Sequence, residues 1–348
     1  VAPAFLPDGR LLFVSGRGGV RDVYLVELTP DGAPAGEPRR ITAGLNPHSI
    51  SVSADGRRLA FGTLNRRRNL YSVEIPTSGV VSAYSGTPVV DGPQVIEGMA
   101  VSPDGEWLAF DSDRGGTQTA YRRRLSGGEA LQLTTSLSDE FVNTWSPDGS
   151  FIAGHGFNEG VRDLWVSDPD GLSFRFVLSS PYQDRYPDIS PDGRRIAFGS
   201  ERDDDGSTLL ISEVDSQGQW GPPTRIGKGG QPRWSPDGTT IASLFEGEVF
   251  LTSPDGGESR IVLVDNAGGF VAGVEWVTDQ ELVVMLLFSD RTAGIWSLSR
   301  ADGSLRERVR FDDPARTPRS EMAVHDGKVY YTFGEFEADI WLMEMTWR

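Results

Sequence analysis

Arginine and carboxylate side chains crowd into a set of short polar segments: Arg17, Arg21 and Asp22; Arg66, Arg67 and Arg68; Asp113 and Arg114; Asn158, Glu159 and Arg162; Glu201, Arg202 and Asp203; Asp290 and Arg291; Glu335 and Glu337. A second set holds His48, Glu97, Asp139, Glu140, Asp184, Arg185, Tyr186, Arg233 and Glu275. A guanidinium is a rigid fork of donors that matches a carboxylate bidentately, so a ring of arginines suits an acidic peptide or a carboxylated sugar. The same groups can also pair with one another and do no more than fix their own loops, which is the expectation for most of them. The candidate ligand contacts are Arg17, His48, Arg67, Arg114, Glu140, Arg162, Asp184, Arg185, Arg202, Arg233 and Arg291.

Acid–base chemistry would need paired carboxylates, and Asp139 with Glu140 and Asp184 is the combination that would serve a glycosidase. With 50 acidic residues in the chain, adjacency of this kind arises by accident. The three histidines, His48, His155 and His325, stand far apart in sequence; His155 ends an apolar stretch that could be buried. The G-x-S-x-G elbow of a serine hydrolase does not occur. Asp203-Asp204-Asp205-Gly206 resembles part of a calcium loop but lacks the following bidentate glutamate, and reads as a solvated loop. The expectation is therefore no catalytic residue, no metal and no cofactor. A carbohydrate- or ester-active enzyme using the three carboxylates is the alternative.

What positions these residues is a repeated turn. Ser-Pro-Asp-Gly occurs at 102–105, 146–149, 190–193 and 235–238, a further copy at 253–256 falls 18 residues after Ser235 and belongs to the second hairpin of its own unit, and degenerate copies place an aspartate at 8, 55, 279 and 326. Successive aspartates (8, 55, 104, 148, 192, 237, 279, 326) are separated by 47, 49, 44, 44, 45, 42 and 47 residues. Proline presets the second position of a type I turn and glycine accepts the left-handed conformation that closes a bulged hairpin. After each tip comes a β-prone stretch such as Trp107-Leu108-Ala109-Phe110 or Ile196-Ala197-Phe198. A third strand then opens on Asp or Asn, an aliphatic and an aromatic residue: Asp22-Val23-Tyr24, Asn69-Leu70-Tyr71, Asp163-Leu164-Trp165 and Asp339-Ile340-Trp341. Those large side chains are expected to fill the space between neighbouring sheets.

A period in the forties with four strands per unit marks propeller blades. The expectation is an all-β, eight-bladed propeller of four-stranded antiparallel blades, with approximate boundaries 1–43, 44–93, 94–136, 137–180, 181–228, 229–266, 267–312 and 313–348; seven blades is the alternative. The eighth unit lacks an outer strand, and a segment preceding Val1 is expected to complete it. The chain thus reads as one domain from a longer protein.

The Ser-Pro-Asp-Gly turn, the Ile-Ala-Phe type strand and the Asp-aliphatic-aromatic strand together resemble the TolB-type, WD-like β-propeller repeat of bacteria. The segment Tyr331 to Glu344 is similar to the tails of propellers fused behind bacterial serine/threonine kinases, although no kinase motif occurs in these residues. In propellers of this strand order, the charged segments emerge on one face around the central channel. The resemblance implies a binding or sensor module whose partner is a protein, peptide or small ligand.

Composition bounds the rest. Acidic residues exceed basic ones by 50 − 33 = 17, which argues against nucleic acid and anionic membranes as partners. Lysine is confined to Lys228 and Lys328, a bias toward arginine that fits a GC-rich genome or a salt- or heat-adapted host. With no cysteine the chain tolerates any redox compartment, and an extracytoplasmic location is expected. Leu282–Phe288 is the longest apolar run and far too short to span a bilayer, so no direct membrane insertion is expected; the acidic excess suits solubility, and a monomer is expected.

Overall fold

The computed structural model describes residues 3–18, 20–135, 138–203, 206–257, 259–262 and 268–346. It is all-β; among these residues the only helical element is a short 3-10 turn, Ala83–Ser85. The chain divides into two compact units, one comprising Arg67–Glu335 and the other Val1–Arg66 with Phe336–Arg348.

In the larger unit, three sheets each take four consecutive antiparallel strands of one repeat with innermost strands Glu140–Trp145, Asp184–Ile189 and Gly230–Trp234. A fourth has Met99–Val101 innermost, and a fifth, starting at Phe270–Thr278, gains Val81–Ser82 as a parallel outer strand. The sixth is composite. Its inner strands are Arg316–His325 and the first part of Lys328–Glu344, and the next strands outward are the second part of Arg58–Glu74 and Thr87–Val90.

Each of the four Ser-Pro-Asp-Gly turns at 102–105, 146–149, 190–193 and 235–238 is a hairpin tip joining a first to a second strand, whereas the fifth copy, Ser253-Pro254-Asp255-Gly256, lies between the third and fourth strands of its sheet. The glycines Gly105, Gly149, Gly193 and Gly238 have φ of 69–72°, the left-handed conformation the turn demands. The serine hydroxyl donates to the aspartate at 2.5–2.7 Å, and the aspartate accepts the N–H two residues on at 2.9–3.0 Å.

The six innermost strands touch in sequence, each meeting the next, and Arg316–His325 also meets Met99–Val101. Apolar clusters fill the spaces between successive sheets in the same order. Leu133, Ala109 and Ala120 pack on Trp145, Ile152 and Trp165. Leu164 and Ala153 pack on Ile196 and Phe198, and Leu209 and Ile211 on Trp234 and Ile241. Val249 and Leu251 meet Val274 and Leu282, Ile295 and Val309 meet Val329 and Tyr331, and Leu70, Val90 and Tyr330 meet Leu108 and Phe110. Three tryptophans at inner-strand ends latch one sheet to the one before: the indole N–H of Trp145 donates to the Ala100 carbonyl at 3.1 Å, Trp234 to Asp188 at 3.2 Å and Trp276 to Arg233 at 2.9 Å.

The smaller unit has a four-stranded sheet, Ala4–Phe5, Leu11–Gly18, Val20–Val26 and Arg39–Arg40. Its second sheet joins Pro47–Val52 to the first part of Arg58–Glu74 and the later part of Lys328–Glu344. Leu6, Leu12, Val23, Leu25 and Leu59 form its core with Ile50 and Met343 packed against them.

The expected eight-bladed layout is not confirmed, since the first repeat and half of the second belong to the smaller unit. Two expectations are corrected. The outer strands of the last sheet come from the second repeat, residues 67–90, where a segment preceding Val1 was expected. Asp339-Ile340-Trp341 does not fill a space between sheets: Ile340 is 87% and Trp341 54% exposed, whereas Leu164 and Trp165 in the same motif are 0%. The reason is length, since Lys328–Glu344 runs on for 17 residues and Asn69-Leu70-Tyr71 takes the third-strand place beside its first half.

Candidate functional site

The inner strands of the larger unit are irregular, and the irregularity builds the site. Register shifts occur between Val142 and Thr144, Arg185 and Asp188, Gly230 and Arg233, Val271 and Gly273, and Pro318 and Met322. Bulges of this kind bend a strand and re-aim its side chains. Tyr186 and Gln231, at φ of 56° and 50°, are the left-handed residues of two of them.

Two cavities follow. The larger, about 260 Å³, is lined by residues of all six inner strands, with Asn143, Asp188, Arg233 and Glu275 supplying its polar groups. The smaller, about 40 Å³, is lined by Glu97, Phe141, Asn143, His155, Arg162, Tyr186, Arg319 and Glu321. Asn143 lines both.

In the larger cavity Arg233 is ion-paired and hydrogen-bonded to Glu275, and its guanidinium also donates to the Pro232 carbonyl at 2.8 Å. Burial pushes the Glu275 carboxyl up to about 7, with Arg233 opposing the shift. Asp188 is raised for the same reason and accepts the Trp234 N–H at 2.7 Å.

Around the smaller cavity, Glu97 bridges two arginines, Arg319 at 2.7 Å and Arg68 at 3.4 Å, while Arg319 also reaches Glu321 at 3.5 Å. Glu97 is held in place from behind. The buried Asp111 accepts the N–H groups of Glu97 and Gly98, both at 2.8 Å, and that of Val142 at 3.1 Å. Gly98 has to be glycine, since a Cβ there would lie 2.2 Å from the Val142 carbonyl oxygen. Burial pushes the Asp111 carboxyl up to about 7 against these hydrogen bonds.

His155 is buried, with Nδ1 2.8 Å from Asn143 Oδ1 and its ring between those of Phe141 and Tyr186. Burial, reinforced by Arg162 and Arg185, holds its pKa well below the ordinary value, so it is a neutral wall of the cavity. Arg162 lies over Phe141 and Phe157 at 5.4 and 4.8 Å, and its buried Nε has no hydrogen-bond acceptor.

The residues singled out from the sequence fall in different places. Arg162 lines the smaller cavity, Arg185 stands beside it in ion-pair contact with Glu201 at 3.0 Å, and Arg233 lines the larger. Glu140 is buried, accepts from Thr134 at 2.9 Å and has its carboxyl pushed up to about 7 by burial. Asp184 is buried between Ser180 at 2.8 Å and Arg202 at 3.2 Å, and Asp139 accepts the Gln118 N–H at 2.9 Å. These three carboxylates are thus bound up in holding loops, and none lines either cavity. Arg114 is tied to Gln94 and lies over Tyr121; Arg67 opens the larger unit and is likewise engaged; Arg291 is exposed in a turn at φ 70°. Arg17 and His48 belong to the smaller unit. Asp204 and Asp205 of the calcium-like segment lie outside the described residues. Among the described residues, no group of three or more His, Asp or Glu is placed to hold a metal ion.

Arg319, Glu321 and Asp188 were not singled out. Arg319 and Glu321 precede the degenerate tip Val324-His325-Asp326-Gly327, which hid the entry to the last inner strand. Counting back from Asp326 as from the other tip aspartates would have found them.

Six sheets packed in sequence, with charged groups on their innermost strands, are those of a β-propeller repeat protein. Residues 95–237 match the family model of the TolB beta propeller domain, and this part of the chain is similar to TolB-like propeller repeat proteins. It is 27% identical over 206 residues to the uncharacterized protein Atu1656 of Agrobacterium fabrum, covering 55% of this chain and 67% of that protein. It is 32% identical over 103 residues to the TolB homolog of Chlorobium chlorochromatii, covering 30% of this chain and only 23% of that one. A TolB-type structure from Agrobacterium tumefaciens superposes with a TM-score of 0.58 at 19% identity, over 78% of this chain and 99% of the other, which is a likeness of fold.

Proposed function

We propose that this chain is a non-catalytic binding propeller that seats a protein, peptide or small ligand at the charged mouth of the axis of Arg67–Glu335. The reading takes that unit as a closed ring of six blades, supported by the contact of the last inner strand with the first and by the cluster of Leu70, Tyr330 and Phe110. The observation that carries it is a division of labour among the charged groups. Glu140 and Asp184, the residues a hydrolase would need, are engaged by Thr134, Ser180 and Arg202, while Arg162 at the mouth keeps an unused donor. Such a module fits the sensor part of a bacterial serine/threonine kinase, and likeness to TolB homologs favours an extracytoplasmic form.

The test is selection of binding peptides from a displayed random library on the full chain, with hydrogen exchange to map the bound surface. Protection of residues 97–98, 184–186 and 319–321 is expected. Peptides that bind without protecting these segments would overturn the assignment. Turnover of a chromogenic glycoside or ester that is abolished by Glu140→Gln or Asp184→Asn would establish an enzyme instead.

A further inference from the structure

Of the arginines around the smaller cavity, three have carboxylate partners: Arg185 has Glu201, Arg319 has Glu97 and Glu321, and Arg68 has Glu97. Arg162 has none among the described residues, and it is half-buried. The charged groups that line the cavity, act on Arg162 or pair with those residues are Arg68, Arg162, Arg185 and Arg319 against Glu97, Glu201 and Glu321, a balance of 4 − 3 = +1. Asp111 also acts on Arg319, but its carboxyl is pushed up to about 7, so it offsets only part of that charge near neutrality. Burial and Arg185 both weaken the hold of Arg162 on its proton, the expected state of a desolvated cation awaiting a counterion.

The geometry is specific as well. Phe141 and Phe157 lie against the guanidinium, leaving its N–H edge for a ligand. The Nε of Arg162 is buried without an acceptor, and that of Arg319, another lining residue, makes no hydrogen bond although Glu321 Oε2 lies 3.5 Å from it. A volume of about 40 Å³ holds roughly three water-sized centres, enough for a carboxylate group and not for a whole ligand.

From this we infer that the small cavity is an anion seat for a single carboxylate, held by Arg162 with Arg319 beside it, the remainder of the ligand extending outward over Tyr186. This deepens the binding role proposed above and rests on it. A phosphate dianion fits less well, because the local excess is at most one positive charge.

The experiment follows the Nε–H NMR signals of Arg162 and Arg319 in the full chain during titration with sodium acetate, acetamide and inorganic phosphate. Acetate should shift both signals saturably, acetamide should shift neither, and phosphate should bind more weakly than acetate. In Arg162→Met the saturable shift at Arg319 should disappear. Arg162→Lys keeps the charge but loses the fork, and should weaken acetate roughly tenfold or more, as for a lost charge-assisted hydrogen bond. If Arg162→Met does not fold, as judged by its melting curve, Arg162→Lys decides. An acetate shift that never saturates, that persists in Arg162→Met or is unchanged in Arg162→Lys, or phosphate binding as tight as acetate, overturns the inference. Acetyl-trialanine as acid and as amide, and acetyl-Ala-Asp-Ala amide, then separate a chain terminus from an acidic side chain as the source. Selected peptides that protect residues 97–98 and 319–321 but ignore amidation and Arg162→Met would leave the binding role standing and remove the carboxylate seat. Acetate binding without any peptide binder would do the reverse.

Discussion

Replacing Arg233 by methionine should destabilise the larger unit in a way that acid repairs. The Arg233 and Glu275 side chains are only 11% and 17% exposed, so removing the cation leaves Glu275 buried without its partner and Asp188 nearby without its neutralising charge. Breaking a buried pair from one side costs about 3–5 kcal/mol. The sign of the pH effect follows from the direction of the shift. Glu275 is raised from 4.5 to about 7, so the folded state binds its proton more tightly than the unfolded chain does. Its favourable contribution is complete below the unfolded value and is lost as pH climbs to about 7. Without Arg233, which lowers it, the folded pKa climbs further. At pH 8 the variant should therefore lose about 3–5 kcal/mol, and at pH 5.5, where the carboxyl is protonated in both proteins, about 1–2 kcal/mol, the worth of a hydrogen bond and some packing. Urea unfolding followed by tryptophan fluorescence suits the purpose, because Trp107, Trp145, Trp165, Trp220, Trp234, Trp276 and Trp296 all lie in this unit. The double variant Arg233→Met with Glu275→Gln should recover most of the loss at pH 8. Equal destabilisation at both pH values would refute the electrostatic account and assign the effect to packing.

Gly98→Ala should cost about 1–3 kcal/mol by urea titration, because the added methyl lies 2.2 Å from the Val142 carbonyl oxygen and 2.7 Å from Asp111. The unmodified protein should melt at a higher temperature at pH 6 than at pH 8: Asp111, Glu140 and Glu275 are all raised to about 7, so the stability their protons confer is lost as pH rises through that value. The depressed His155 works the other way below its unfolded value of 6.5, one group against three. Ile340→Lys should change stability by less than about 0.5 kcal/mol, whereas Leu164→Lys, at the same place in the repeat motif but fully buried, should prevent folding of the larger unit at 25 °C.

The turn chemistry was legible because it is local. Ser-Pro-Asp-Gly specifies its own hydrogen bonds within a few residues, and the four first-hairpin copies form the same turn with nearly the same glycine φ, while the fifth, at 253–256, turns between a third and a fourth strand with its glycine at 84°. The strand pattern was legible for a related reason, as Leu108, Ile152, Ile196 and Ile241 each follow a tip and are each fully buried. The partnership of strands from distant repeats was not. Nothing local to Asn69-Leu70-Tyr71 distinguishes it from Asp339-Ile340-Trp341, yet the first packs with Tyr330 and Phe110 while the second stays exposed. Which copy completes the last sheet depends on the packing of whole sheets, to which a forty-residue motif is blind.

The charged loops show the same boundary between what composition says and what geometry decides. From the sequence, Glu140, Asp184, Arg162 and Arg202 are equivalent members of one polar rim. In the structure Glu140 sits at the start of an inner strand and is bound up with Thr134, and Asp184 with Arg202 and Ser180, so three of the four are spent on holding loops in register. Arg162 differs: Phe141 and Phe157 lie over its guanidinium, and no carboxylate among the described residues pairs with it. An aromatic neighbour keeps a guanidinium desolvated without neutralising it, which an acidic neighbour cannot do. On the proposed reading the site lies where the rule of mutual pairing fails, and the two phenylalanines that flank the unpaired guanidinium belong to the hydrophobic pattern of their strands, not to the charge pattern of the loops.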